Sequence, residues 1–322
     1  MIQDKSRPVH KYGARLCAGM CVLAMQILMG SLYAQDRPAT SASAPGDVST
    51  LVLQGYDSLR HQDAREAEAA FRKAIAASPH HAEAHLGLGM ALLSQGQDAA
   101  ARGELDLAVQ YGPNLAVAHA ELARVVLKAG EPARARELFE KAVTLDPSDS
   151  ASRFQLAMLL AEVGESRRAN ELFEGILKAQ PDNDRAREQL GLGYLRKGDL
   201  DSAATEANTI LRKRPRSAEG HRLMALVLWR QRDTESALAE CAEAVAADPD
   251  SLSMAALQMA GFWKLARKKE AQAILASTYK TERQIIRSEF FCHLILCDAQ
   301  DISLVEDFLR RSRWVVMPPT AP

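Results

Sequence analysis

AVAHAELARVVLKAGEPARARELFEKAVTLDPSD, Ala116–Asp149, holds two helices and the signals that stop them. Leu122, Val125 and Val126 make an apolar stripe at helical spacing. Gly130 ends this first helix, because glycine enters the left-handed region at low cost. Pro132 opens the second, where its missing N–H leaves no bond unmade. Ala135, Phe139 and Ala142, at i, i+4 and i+7, form the buried face of that helix. Asp146-Pro147 closes it, since proline pushes the residue before it out of helical geometry.

The same pattern returns along the chain. Pro79, Pro113, Pro147, Pro181, Pro215 and Pro249 are each 34 residues apart. Gly96, Gly130, Gly164 and Gly198 keep that period, as do Ala67, Ala101, Ala135, Ala169, Ala203 and Ala237. Another column is always glycine or alanine: Gly55, Gly89, Ala123, Ala157, Gly191 and Ala225. Small residues there allow the two helices of a hairpin to approach closely. A bulky column, Phe71, Leu105, Phe139 and Phe173, fills the gap to the next unit and later shrinks to Ala207 and Cys241.

A 34-residue unit with these columns resembles the tetratricopeptide repeat (TPR) family, over residues 48–251. The resemblance implies an all-α fold: an α-solenoid of antiparallel helix pairs in a right-handed superhelix, with C-terminal capping helices. Six units span residues 48–251, and a degenerate seventh, 252–283, has Arg283 where proline is due. A capping helical hairpin is expected over 284–316, from Gln284–Asp298 and Ile302–Arg313 with Asp301 as the cap, followed by a tail at 317–322.

Residues 1–34 differ in kind. Lys5, Arg7, Lys11 and Arg15 precede the apolar run LCAGMCVLAMQILMG, and a small residue stands at Ala34. This reads as a secretory signal cut between Ala34 and Gln35, so the body is expected to be periplasmic or secreted. The rival reading is an uncleaved anchor, since Leu16–Leu32 spans 17 residues, the lower limit for crossing a bilayer. Residues 35–47, rich in Pro, Ser and Ala, read as a flexible linker. A membrane is expected to enter only through that N-terminal segment.

Composition narrows the function. Hydrophobic residues make up 47% and aromatics 5%, which fits stacked Ala- and Leu-rich helices rather than sheets. A net charge of −1 gives no field to attract nucleic acid. Cys292 and Cys297 lie five apart in what reads as one helix, roughly 8 Å between Cα atoms, which predicts free buried thiols rather than a bridge. His81 and His85 at i, i+4 offer two metal-ligand nitrogens, but His85, His119 and His221, the latter two one and four periods on from the first, occupy one slot of their repeats, which predicts packing. The SxxK at Ser277 lacks the SDN and KTG that accompany it in β-lactamases. No catalytic residue, metal ligand or cofactor is expected. His293 with the two nearby cysteines is too sparse for nucleophile chemistry.

On the TPR resemblance, two positions of each first helix point into a concave groove. One series is Val52, Leu86, Ala120, Phe154, Glu188 and Arg222; the other is Tyr56, Met90, Arg124, Met158, Leu192 and Leu226. Trp229 is expected beside them. The apolar majority, with Met and aromatics, predicts a protein or peptide partner with an apolar or amphipathic segment. Val52, Tyr56, Leu86 and Met90 stand where acidic-tail binders of the family carry a clamp of Lys and Asn, so that specificity is not expected. A non-enzymatic scaffold of the cell envelope follows, or an anchored accessory subunit of a secretion, pilus or polysaccharide-export complex.

Overall fold

The computed structural model describes residues 47–316, with side chains as far as Ser312. The proposed signal, most of the linker and the tail at 317–322 lie outside these residues. Every regular element among the described residues is helical. The chain divides into two compact units, one running to Leu159 and one from Leu160.

The first unit contains α1 (Val48–Arg60), α2 (Ala64–Ala77), α3 (Ala82–Ser94), α4 (Asp98–Tyr111), α5 (Ala116–Lys128) and α6 (Pro132–Leu145). The dividing point falls within α7 (Ser150–Glu162). The second unit continues with α8 (Ser166–Ala179), α9 (Asp184–Lys197), α10 (Leu200–Lys213), α11 (Ala218–Arg230) and α12 (Thr234–Ala247). It ends with α13 (Leu252–Lys264), α14 (Lys268–Thr281), a 3₁₀ turn (Arg283–Ile286), α15 (Ser288–Ile295) and α16 (Ala299–Val316). Within each unit helices adjacent in sequence pack on one another, as α1 does on α2, α3 on α4, α5 on α6 and α11 on α12. Their short connections force antiparallel hairpins.

Each hairpin turn places one residue in the left-handed region. Gly96, Gly130, Gly164 and Gly198 do so at φ 75–84°. In the same column Gln62, Arg232 and Ala266 adopt φ 62°, 69° and 58° without being glycine. Three of the second helices then begin on side-chain caps: Asp63 accepts from Glu66 N, Asp199 from Ser202 N and Asp233 from Ser236 N.

A polar clasp closes the turn between repeats. His85 Nε2 lies 2.8 Å from the Pro79 carbonyl oxygen, and Nδ1 lies 2.8 Å from Glu104 Oε2. His221 repeats this with Pro215 O at 2.9 Å and Glu240 Oε2 at 2.7 Å. Arg187 fills the slot between them in sequence, donating to Glu206 at 2.7 Å and to Pro181 O at 2.9 Å. His119 keeps only the carbonyl of Pro113, at 3.0 Å. Its Nδ1 is buried without a partner, because Leu138 stands where the carboxylate would be. The histidine column therefore ties a turn to the helix behind it. His81 acts separately, its Nδ1 accepting from Ala84 N at the start of α3.

The C-terminal region corrects the sequence reading. Residues 284–298 do not form one helix: α15 ends at Ile295 because Leu296 turns left-handed at φ 52°. The reversal brings the Cα atoms of Cys292 and Cys297 to 4.8 Å, and the two cysteines form a disulfide. The cap of α16 is Asp298, whose Oδ1 accepts from Gln300 N and Asp301 N. Asp301 reciprocates by accepting from Asp298 N at 3.2 Å, a capping-box arrangement.

The turn column predicts a pair of opposite effects. Ala266→Gly relieves a left-handed alanine and should stabilise the second unit by about 1 kcal/mol. Gly130→Ala should cost a similar amount in the first unit. Urea unfolding of the two variants checks both signs.

Candidate functional site

The candidate surface is the face formed by the first helices of the hairpins, taken separately in each unit. In the first unit Val52 and Leu86 are 3% exposed and Met90 is 5% exposed, so these three serve mainly as core. Tyr56, Arg124, Phe154 and Met158 are half-buried and present part of their surface to solvent. Tyr56 is held in place: its ring meets Phe71 edge-on at 5.1 Å and its hydroxyl donates to Glu83 O at 3.2 Å. Arg124 pairs with Glu121 one turn before it, a buried carboxylate. The exposed remainder is thus a pre-oriented tyrosine, a phenylalanine, a methionine and one anchored guanidinium.

In the second unit the face is polar. Leu192 is half-buried and Leu226 is 5% exposed. Arg222 is the hub: Nε and Nη2 donate to the two oxygens of Glu188 at 2.9 and 3.1 Å, and Nη1 donates to Asp248 at 3.0 Å. Burial pushes the Glu188 carboxyl above its usual range, against the pull of Arg222. Burial works to lower Arg222, but the bond to Glu188 and the surrounding carboxylates leave it raised. The 34-residue separation of Glu188 and Arg222 means that this fork–fork pair joins equivalent positions of two successive first helices.

Trp229 is not a groove residue in this structure. It is 1% exposed, and its indole N–H donates to Asp301 Oδ2 at 3.1 Å. The C-terminal helix reaches back to cover it, which the repeat pattern alone does not reveal. Sequence reasoning also missed Glu121 and Asp248 as arginine partners. A carboxylate three residues before Arg124 on one helix was the available signal for the first.

The remaining candidates resolve into structure. Ser277 bonds Ile274 O within its own helix. Burial pushes the Cys241 thiol up to about 12, and Cys292 and Cys297 are joined, so no reactive thiolate remains among the described cysteines. The described residues contain no cluster of three His, Cys, Asp or Glu side chains able to hold a metal. No described helix is long and apolar enough to cross a membrane.

Two family models, both described as tetratricopeptide repeat, match the chain, one at residues 52–116 and 188–251 and the other at 126–185. Together they span more than half of its length, and the chain belongs to the tetratricopeptide repeat family. Solved structures agree in fold. A tetratricopeptide repeat protein from Parabacteroides merdae, 15% identical, superposes with TM-score 0.59 over 82% of this chain and 98% of its own. YrrB, described as a TPR protein with an unusual peptide-binding site, is 21% identical with TM-score 0.50, covering 56% of this chain and 93% of its own. PilW, a type IV pilus biogenesis factor, is 19% identical with TM-score 0.51, covering 64% and 96%. No curated protein matches the chain.

Removing one partner of the central ion pair should be costly. Arg222→Met strands the buried Glu188 carboxylate and should destabilise the second unit by about 3 kcal/mol, the lower end for a buried pair, because Arg222 keeps some solvent contact. Glu188→Leu combined with Arg222→Met should cost much less. A double-mutant cycle from denaturant unfolding measures the difference.

Proposed function

We propose that this protein is a non-enzymatic scaffold that binds a segment of a partner protein along the face of its first helices. The supporting observation is the composition of that face in the first unit: Tyr56, Phe154 and Met158 reach solvent, as does Arg124, which Glu121 holds in place. Such a surface fits an amphipathic segment. The aromatic and thioether groups supply adaptable apolar contact, and the guanidinium fixes orientation through a backbone carbonyl or carboxylate. Tetratricopeptide repeats are an interaction scaffold, which is the general role consistent with this reading.

We place its work in the cell envelope, after export through the N-terminal signal. Residues 1–34 carry the charge and apolar pattern of such a signal, and the Cys292–Cys297 disulfide suits an oxidising compartment. If the segment stays uncleaved, the same body becomes a membrane-anchored accessory subunit of a secretion, pilus or polysaccharide-export complex.

Capture from envelope extract tests the surface. Tyr56→Ala with Met158→Glu should remove at least one protein that wild type retains, with the helical content unchanged. Identical partner lists would sink the groove reading.

Mass spectrometry of the exported protein tests the location. A first residue of Gln35 is expected, with one alkylatable thiol, Cys241, after denaturation without reductant. An intact Met1 supports the anchored reading, and three free thiols in the body argue against export.

A further inference from the structure

The C-terminal helix does more than close the end of the stack. Trp229 and Trp263 occupy the same position of two successive first helices, α11 and α13. Both indole N–H groups donate to α16: Trp229 to Asp301 at 3.1 Å and Trp263 to Asp307 at 3.2 Å. Phe308 of α16 packs on the Trp263 ring with centroids 5.3 Å apart. Arg232, in the turn after α11, donates to Asp301 at 2.7 Å and pairs with Asp298. Arg230 holds the approach to the helix through the Leu296 carbonyl at 3.3 Å.

Three details set this apart from ordinary end-capping. The bonds reach back 72 and 69 residues, past the last repeat to the one before it. Shielding an apolar end requires no donors, yet two indoles and a guanidinium here meet carboxylates of one helix and its N-cap. In the first unit the equivalents of the tryptophans, Leu59, Leu93 and Leu127, stay half-buried, whereas Trp229 and Trp263 are buried although far larger. That burial continues one repeat upstream to Leu195.

We propose that the Trp229–Trp263–Arg232 strip is a recognition surface for an amphipathic helix bearing carboxylates, and that α16 is its tethered occupant, competing with a partner helix of the same chemistry. The required pattern is displayed by α16 itself: an acidic start at Asp298 and Asp301, then Asp307 beside the aromatic Phe308. Tethering explains why the strip is filled in the isolated chain, because a linked segment binds at a high effective concentration. The bond from Arg232 holds the Asp298 carboxyl down at about 2, so this contact is intact at neutral pH and is lost only as pH falls through that value. The proposal goes beyond the groove reading, since it assigns a second surface, a helix chemistry and a built-in competitor in the second unit.

The test uses the chain's own segment, so its outcome is separate from capture of a natural partner. A labelled peptide of residues 298–312 is titrated into the full chain and into a variant carrying Asp298→Ser, Asp301→Asn and Asp307→Asn. The variant, with its strip intact and its occupant weakened, should bind at least about tenfold more tightly than wild type. A peptide carrying the same three changes should bind neither. Equal affinity for both chains, or failure of the native peptide to bind a folded variant, overturns the proposal. Hydrogen exchange on wild type covers the case of a variant that does not fold. Amides of α16 should exchange faster than those of α11 and α13, and added peptide should accelerate them further; exchange of α16 only with global unfolding overturns it.

Discussion

A phenyl ring occupies the space that two missing Cβ atoms leave open. Phe71 of α2 lies against Gly55 of α1 and Gly87 of α3, and a methyl group on either glycine would overlap the ring. One side chain thereby fixes the spacing within a hairpin and between that hairpin and the next. Leu105 does the same for Gly89, again inside van der Waals distance of any added Cβ. Cores packed to crystal density tolerate little change of volume, so small and large columns must keep register over many units. The strict 34-residue period is the sequence record of that constraint.

The helices, their turns and their pairing were therefore legible, because each depends on residues that recur. Gly130, Pro132 and Asp146-Pro147 in one unit predict boundaries that the others repeat. What recurs less was harder to read. The disulfide was missed because its geometry depends on a left-handed Leu296, a conformation that no residue type signals when it is not glycine. Asp301 was assigned the capping role that falls to Asp298, since the start of α16 is three residues earlier than its apolar spacing implies. Both errors lie in the one region outside the repeat.

The candidate surface was legible in direction and not in depth. A period places Val52, Leu86 and Met90 on the first-helix face, but the next hairpin determines how much of each stays exposed, and they finish as core. Larger or polar occupants of the same positions, Tyr56, Phe154 and Arg222, remain half-buried because their tips extend beyond that packing. The histidine column shows the converse. His85 and His221 look chemical in sequence and prove structural, and Arg187 demonstrates why: the slot places nitrogen against a proline carbonyl and, where a glutamate faces it, against that carboxylate, whether the residue is histidine or arginine.

Departures from a column are then informative when something compensates for them. Gln62, Arg232 and Ala266 all adopt the left-handed turn that glycine fills elsewhere. Each bears the steric cost of a Cβ in that region. Ala266 has no polar side chain with which to repay it. Arg232 does, because its guanidinium meets both Asp298 and Asp301 across to α16. Glycine at that turn would fold the hairpin with less strain and leave Asp298 and Asp301 without their guanidinium partner. A residue ill suited to its own backbone is thus the one that ties the turn after α11 to α16, and the contacts that repay this local conflict lie outside the repeat's own packing.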